Sequence, residues 1–183
     1  DYAINATLVL SNIALYKQDK AGVMTFSDKF GQLLLADRRP GQMQKILELL
    51  YHQKTRYLET DYELVYTKTR QYVRQRSLLL LFTNFETLAS MRRQLPFFRR
   101  LAKDHLLLVV FFENTELRTL LNAPAVSTEE IYLKTIAEKY FYEKQQIVKE
   151  LGQYGIQAML TPPQSLTVNT VNKYLELKAR GMI

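Results

Sequence analysis

The sequence predicts an α/β protein in which a doubly wound, mostly parallel sheet is flanked by helices. The main observation is a set of short, almost wholly apolar stretches, which are typical of strands buried on both faces. They are LLLLFT at 78–83, HLLLVVFFEN at 105–114 and IQAML at 156–160. Amphipathic stretches with helical spacing separate them, and this alternation indicates β–α–β units with right-handed crossovers.

The remaining elements follow from apolar spacing and from residues that begin or end helices and strands. Ahead of the first apolar strand we expect a helix over 2–18, a hairpin of strands 21–27 and 30–36, a helix over 42–52 and a helix that begins at Thr60 or Asp61. After it we expect a helix over 86–103 interrupted or bent at Pro96, a short helix from 115, a long helix from Ser127 to Gly152 and a last helix over 166–180. Glu130 stands three residues after Ser127, which is the spacing of a capping box.

Length and composition indicate one globular domain over 1–183. Hydrophobic residues make up 47% of the 183 residues and charged residues 23%, and neither a linker nor an internal repeat is visible. No apolar run approaches the roughly 18 residues of a membrane span, so we expect a soluble chain. Because the sequence begins with Asp1 and a helical pattern starts at once, we also expect a fragment of a longer protein.

The sequence offers little of the chemistry that enzymes use. The absence of cysteine excludes disulfides, thiolate catalysis and cysteine metal ligands. No glycine-rich phosphate loop and no nucleophile elbow is present. His52 and His105 have no neighbouring nucleophile, so we expect both to be structural. We therefore expect a protein that is not an enzyme.

A net charge of +7 and a pI of about 9.5 would suit nucleic acid, anionic lipid or an acidic protein partner. The densest basic stretches are RQYVRQR at 70–76 and MRRQLPFFRR at 91–100. A solvated helix face explains each stretch most simply. Nucleic-acid binding through basic helices remains an alternative, and it would require a steep dependence on salt.

Three stretches together resemble a known family. They are DYAINATLVLSNIALYKQDKAGVMTFSDK at the start, LLLLFTNFETL at 78–88 and KDHLLLVVFFENTEL at 103–117. In order and spacing the chain is similar to the von Willebrand factor A-like domain of the bacterial proteins called domain of unknown function fifty-eight, in their Bacteroidetes-type form. The resemblance covers nearly the whole chain, but the first, central strand of that fold is absent from it.

The resemblance implies a metal-ion-dependent adhesion site at the carboxyl edge of the sheet. That site uses an Asp-x-Ser-x-Ser loop after the first strand, which is missing here, then a later Thr and an Asp. Thr60 looks like the Thr, and Asn84 stands where the Asp belongs. Because hard cations prefer carboxylate ligands, the neutral Asn84 predicts a vestigial site. We expect no cofactor, with magnesium as the one candidate.

The resemblance also implies a scaffold or adaptor that works with a MoxR-type AAA+ ATPase in the assembly or maturation of other proteins. The parent would be anchored in the membrane upstream, with this domain cytoplasmic at the inner membrane face. Self-association would be one way to replace the missing strand. Predicted partner-binding residues lie at the carboxyl edge: Arg56, Asp61, Phe85, Glu86, Glu113, Asn114 and Glu116. Metal-dependent ligand binding of the adhesion type is the alternative.

Overall fold

The computed structural model describes residues 1–53, 59–122, 124 and 127–183. Over the described residues the protein is a mixed α/β structure, 59% helical, with a three-stranded parallel sheet flanked by helices, which confirms the predicted class. The chain divides into two compact units, Asp1–Ser77 with Gln164–Ile183, and Leu78–Pro163. The expectation of one von Willebrand factor A-like domain over 1–183 stays a prediction.

In its described residues, the first unit combines an antiparallel hairpin with four α-helices. Its elements are α1 (Tyr2–Tyr16), β1 (Ala21–Phe26), β2 (Phe30–Asp37), α2 (Gln42–Tyr51), α3 (Tyr62–Tyr72) and α7 (Leu166–Ala179). The predicted hairpin is confirmed, because β1 and β2 pair with each other. Asp61 is the N-cap of α3, and its carboxylate accepts a hydrogen bond from the backbone N–H of Leu64 at 2.9 Å.

Two sets of polar contacts, one buried and one half-buried, hold the first unit together. The Gln42 side chain, at the start of α2, donates to the backbone oxygens of Ala21 at 2.7 Å and Leu35 at 2.9 Å, so one amide ties the helix to both strands. Asp19 accepts hydrogen bonds from the Tyr174 hydroxyl and the Lys178 ammonium, each at 2.5 Å. These bonds fix the turn after α1 against α7, which packs on α1.

The second unit contains the parallel sheet. Its elements are β3 (Leu78–Thr83), α4 (Leu88–Asp104), β4 (Leu106–Phe112), α5 (Thr115–Asn122), α6 (Thr128–Gln153) and β5 (Gln157–Thr161). The strand order is β3-β4-β5, with Thr83 opposite Phe111 and Phe112 opposite Thr161. The central strand β4 is buried along almost its whole length, as its uniformly apolar sequence predicts.

Three predictions concern the ends and continuity of the helices α6 and α4. The capping box of Ser127 and Glu130 at the start of α6 is confirmed. The predicted C-cap at Gly152 is wrong, because α6 continues to Gln153 and the left-handed residue after it is Gly155, with φ 72°. The helix over 86–103 is predicted to be interrupted or bent near Pro96; the interruption is wrong, since α4 runs unbroken from Leu88 to Asp104, and the bend stays a prediction.

Among the residues that the structure describes, no helix combines the length and apolar character needed to cross a bilayer. The three parallel strands lie side by side in the same order in which they occur along the chain, β3-β4-β5. The reversal of strand order that defines a doubly wound sheet is therefore not found among the strands described. The finer assignment to a von Willebrand factor A-like sheet stays a prediction.

We predict that His105 makes stability depend on pH. His105 ends α4, its side chain is buried, and its Nδ1 has no hydrogen-bond partner in the described part of the chain. Burial lowers the pKa of His105 below 6.5, while the charge of Asp104 opposes the change. As the pH falls through 6.5, His105 in the unfolded chain binds a proton, whereas His105 in the folded chain stays neutral to lower pH. The free energy of unfolding therefore falls as pH drops from about 7.5 to about 5.5.

The measurement is chemical denaturation at both pH values for the wild type, His105→Gln and His52→Gln. His52 is exposed at the end of α2, so it is the matched control. His105→Gln should lose part of the acid sensitivity, and His52→Gln should keep it. An unchanged pH profile in His105→Gln would contradict the prediction.

Candidate functional site at the carboxyl edge of the parallel sheet

The ends of β3 and β4 meet at one edge of the sheet. The two strands are parallel and in register up to Thr83 and Phe111, so the segments that follow them leave the sheet side by side. One segment begins at Asn84 and the other at Glu113. Open α/β sheets place ligand sites at this edge.

A buried lysine from α6 is bound to the first of these segments. The Lys144 ammonium donates to Asn84 Oδ1 at 2.7 Å and to the backbone oxygen of Phe85. It also lies 4.9 Å from the centroid of the Tyr140 ring, in cation–π geometry. One positive charge therefore joins the loop after β3 to α6 inside the second unit.

The position of Lys144 follows from the spacing of α6. Ala137, Lys144, Ile147 and Leu151 recur at helical spacing, and all four are buried. Lys144 is thus a member of the core-facing stripe, with only 1% of its surface exposed. The helix is held in place by a bidentate ion pair, in which Arg92 of α4 donates to both carboxylate oxygens of Glu150.

Burial changes the acid–base behaviour of the cluster. It lowers the pKa of Lys144 from 10.5 to about 8, although the charges of Glu86 and Glu143 oppose the change. Burial raises the pKa of Tyr140, and a hydrogen bond with the Asn84 side chain offsets part of that rise. Near neutral pH the cluster therefore holds an ammonium, a neutral phenol and an amide.

The geometry around Asn84 does not favour a divalent metal. Its side-chain oxygen, which a metal would need, already binds the Lys144 ammonium. Thr60 belongs to the first unit and Asn84 to the second. In the described part of the chain, no group of three or more His, Cys, Asp or Glu residues is arranged to hold a metal ion. The vestigial metal site of Thr60 and Asn84 stays a prediction.

Four of the predicted partner-binding residues are exposed. Glu86, Asn114 and Glu116 lie in the second unit, at or just beyond the carboxyl edge, and Asp61 lies in the first unit at the start of α3. Asn114 also caps α5, because its side-chain oxygen accepts from the backbone N–H groups of Glu116 and Leu117. The prediction for Arg56 lies outside the described residues.

Phe85 and Glu113 do not lie at the surface, which corrects the predicted contact set. Phe85 is 5% exposed, with its ring 5.8 Å from the rings of both Phe98 and Phe111. Glu113 is 7% exposed. Its backbone N–H still donates to the oxygen of Thr161 on β5, and its carboxylate pairs with Arg118 at 3.0 Å.

Sequence reasoning missed Lys144 altogether. Lysine is normally a surface residue, and the predicted edge was built only from residues that directly follow strands. The available signal was the helical spacing of Ala137, Lys144, Ile147 and Leu151, which places a charged residue in an apolar stripe. A lysine at such a position requires acceptors inside the protein.

We predict that Lys144→Met destabilises the fold by about 1–3 kcal/mol at neutral pH, since it removes the hydrogen bonds from the Lys144 ammonium to Asn84 Oδ1 and to the Phe85 carbonyl. The apolar gain of a buried methionine offsets only part of this loss. Urea denaturation measures the change. Lys149→Met, the same substitution at an exposed position of α6, should be nearly neutral, and equal effects of the two substitutions would contradict the prediction.

A second prediction concerns alkaline pH. The folded protein releases the Lys144 proton at a pKa of about 8, whereas the unfolded chain keeps it up to 10.5. Between those values the unfolded state binds more protons, so raising the pH stabilises the wild type. The difference in unfolding free energy between wild type and Lys144→Met should grow from about pH 7.5 to about pH 9.5, and a constant difference would show that Lys144 does not titrate in this range.

Comparisons with family models, with curated proteins and with solved structures found no match for this chain. The resemblance to the von Willebrand factor A-like domains therefore stays a prediction that rests on the three sequence stretches. The site itself rests on the geometry of Asn84, Phe85, Tyr140 and Lys144.

Proposed function

We propose that the protein is a non-enzymatic interaction module that docks a protein partner at the carboxyl edge of its parallel sheet. The observation that carries the proposal is the position of the buried Lys144 ammonium. Lys144 fixes both the side chain of Asn84 and the backbone at Phe85. The edge therefore has a defined shape without a bound metal, which is the preorganisation that a docking surface needs.

The exposed groups at this edge indicate the chemistry of the partner. Glu86 and Glu116 are exposed carboxylates, and Asn84 and Asn114 add exposed amides. The capping box of Thr87 and Ser90 fixes the start of α4 next to Glu86. A polar, acidic edge on a basic protein favours a partner with a basic docking surface.

From the family resemblance, the partner we propose is a MoxR-type AAA+ ATPase, and the process is assembly or maturation of other proteins. The resemblance also supports the finer fold proposal, a von Willebrand factor A-like sheet whose first central strand would lie beside β3. That strand, or a second copy of the chain, would cover main-chain groups of β3. We further propose a cytoplasmic domain at the inner membrane face, anchored upstream.

The test is recovery of the partner by the full-length protein purified from its native membrane. We predict that Glu86→Lys and Glu116→Lys each lower the amount of AAA+ ATPase recovered severalfold, because each reverses a charge at the docking edge. Asp104→Lys is the matched control, since Asp104 is exposed at the opposite, amino end of β4. Equal recovery in all three variants would contradict docking at the carboxyl edge.

Metal-dependent ligand binding is the competing function, and magnesium distinguishes the two. We predict that millimolar magnesium leaves the Tm of the wild type unchanged, because the Lys144 ammonium already binds the Asn84 oxygen. Asn84→Asp should also be unresponsive, since the new carboxylate pairs with Lys144. We expect magnesium to raise the Tm only in the double variant Asn84→Asp/Lys144→Met, because its new carboxylate no longer faces the Lys144 ammonium. A rise in the wild type would support the adhesion-type function.

A further inference from the structure

A cluster of aromatic and basic side chains lies in the first unit, where the hairpin tip meets α3. The rings of Phe30 and Tyr72 are nearly parallel, with an interplanar angle of 16° and centroids 6.5 Å apart. The Lys68 ammonium lies 5.4 Å from the Phe30 centroid and 5.9 Å from the Tyr72 centroid. Tyr72 remains 41% exposed, so part of its ring is open to solvent.

Unpaired positive charges flank these rings. Lys29 is exposed beside Phe30, and Arg74 and Arg76 are exposed just after Tyr72. None of the three forms an ion pair with a residue that the structure describes. Asp28 is the acidic residue of the hairpin tip, and its carboxylate accepts from the Ser27 hydroxyl at 2.8 Å.

The second basic stretch of the chain differs in this respect. In 91–100, Arg92 is paired with Glu150 at 2.9 Å, and the Arg99 guanidinium lies 4.8 Å from the ring centroid of Tyr154. Those two charges therefore stabilise packing within the second unit. Within the part of the chain that the structure describes, Lys29, Arg74 and Arg76 make no such ion pair or ring contact.

We propose that single-stranded nucleic acid binds to this cluster, which we call the aromatic–basic surface. The surface is formed by Lys29, Phe30, Lys68, Tyr72, Arg74 and Arg76. A base stacks on the open part of the Tyr72 ring, while phosphates contact Lys29, Arg74 and Arg76. Single strands fit this arrangement because their bases are free to stack, and cationic grooves with aromatic platforms bind them with little sequence preference. This activity is separate from docking at the carboxyl edge of the second unit.

Other polyanions fit the surface less well. An anionic lipid surface or an acidic peptide would use the positive charges, but neither ligand class supplies a flat base that stacks on an exposed ring at regular intervals along a polyanion. Bases in a duplex are already stacked on each other, so their faces are not open to the Tyr72 ring. The ring of Tyr72 is therefore the feature that separates a single-stranded ligand from these alternatives.

The experiment is fluorescence anisotropy of the whole chain with a labelled oligothymidylate of roughly 15 nucleotides, over a series of salt concentrations. Arg74→Gln/Arg76→Gln should weaken binding about tenfold and reduce the slope of log K against log salt by about 1.4. Lys134→Gln/Lys139→Gln on α6 is the matched control, because it removes the same net charge elsewhere, and it should change neither quantity.

Tyr72 variants test the stacking. Tyr72→Leu should weaken binding about tenfold with the salt slope unchanged, and Tyr72→Phe should restore wild-type affinity. Arg74 and Arg76 follow the end of α3 and are exposed, so that double variant tests the surface even if Tyr72→Leu lowers stability. Unchanged affinity in the arginine double variant would overturn the proposal. Equal binding by Tyr72→Leu and wild type, or phosphatidylserine vesicles competing as well as the oligonucleotide, would overturn the assignment to nucleic acid.

Discussion

In the described part of the second unit, the packing at the carboxyl edge depends on the buried ammonium of Lys144. Removing the Lys144 charge from water is costly, and the cost is acceptable only where the protein supplies oxygen acceptors in return. Asn84 supplies a side-chain oxygen, Phe85 a backbone oxygen and Tyr140 the face of a ring. The same contacts hold the loop after β3 in the conformation that buries the Phe85 ring, so core packing and the shape of the edge have one cause.

This arrangement gives a physical meaning to Asn84. A divalent cation needs carboxylates to balance two charges, whereas an ammonium needs only one compensating charge or several good dipoles. A neutral amide and a backbone carbonyl suit the smaller charge, and the partly compensating charges of Glu86 and Glu143 act from further away. An amide at position 84 and a lysine at position 144 are therefore consistent with each other, and each would be unfavourable without the other.

The sequence predicted the elements much better than the site. Apolar runs identify β3 and β4, and the Ser127–Glu130 box marks the start of α6, because these signals act between near neighbours. The burial of Phe85 and Glu113 depends on which way the chain turns after each strand, and that is set by distant partners, Phe98 in one case and the β5 oxygen of Thr161 in the other. Lys144 contacts residues about sixty positions away, so the helical spacing of α6 could indicate that its side chain is buried but not which acceptors it binds.

The two basic stretches, 70–76 and 91–100, show that the sequence alone also does not reveal which positive charges the fold has paired. In sequence they are equivalent, each with several arginines close to aromatic residues. In the structure, Arg92 of one stretch is held by a carboxylate of α6, while Arg74 and Arg76 of the other are exposed and have no ion pair in the described part of the chain. Attraction of an external anion requires charges that the fold has not already neutralised. The net charge of +7 does not show which basic side chains the fold has already paired. Arg74 and Arg76, just after α3, are exposed and make neither an ion pair nor a ring contact with the described residues.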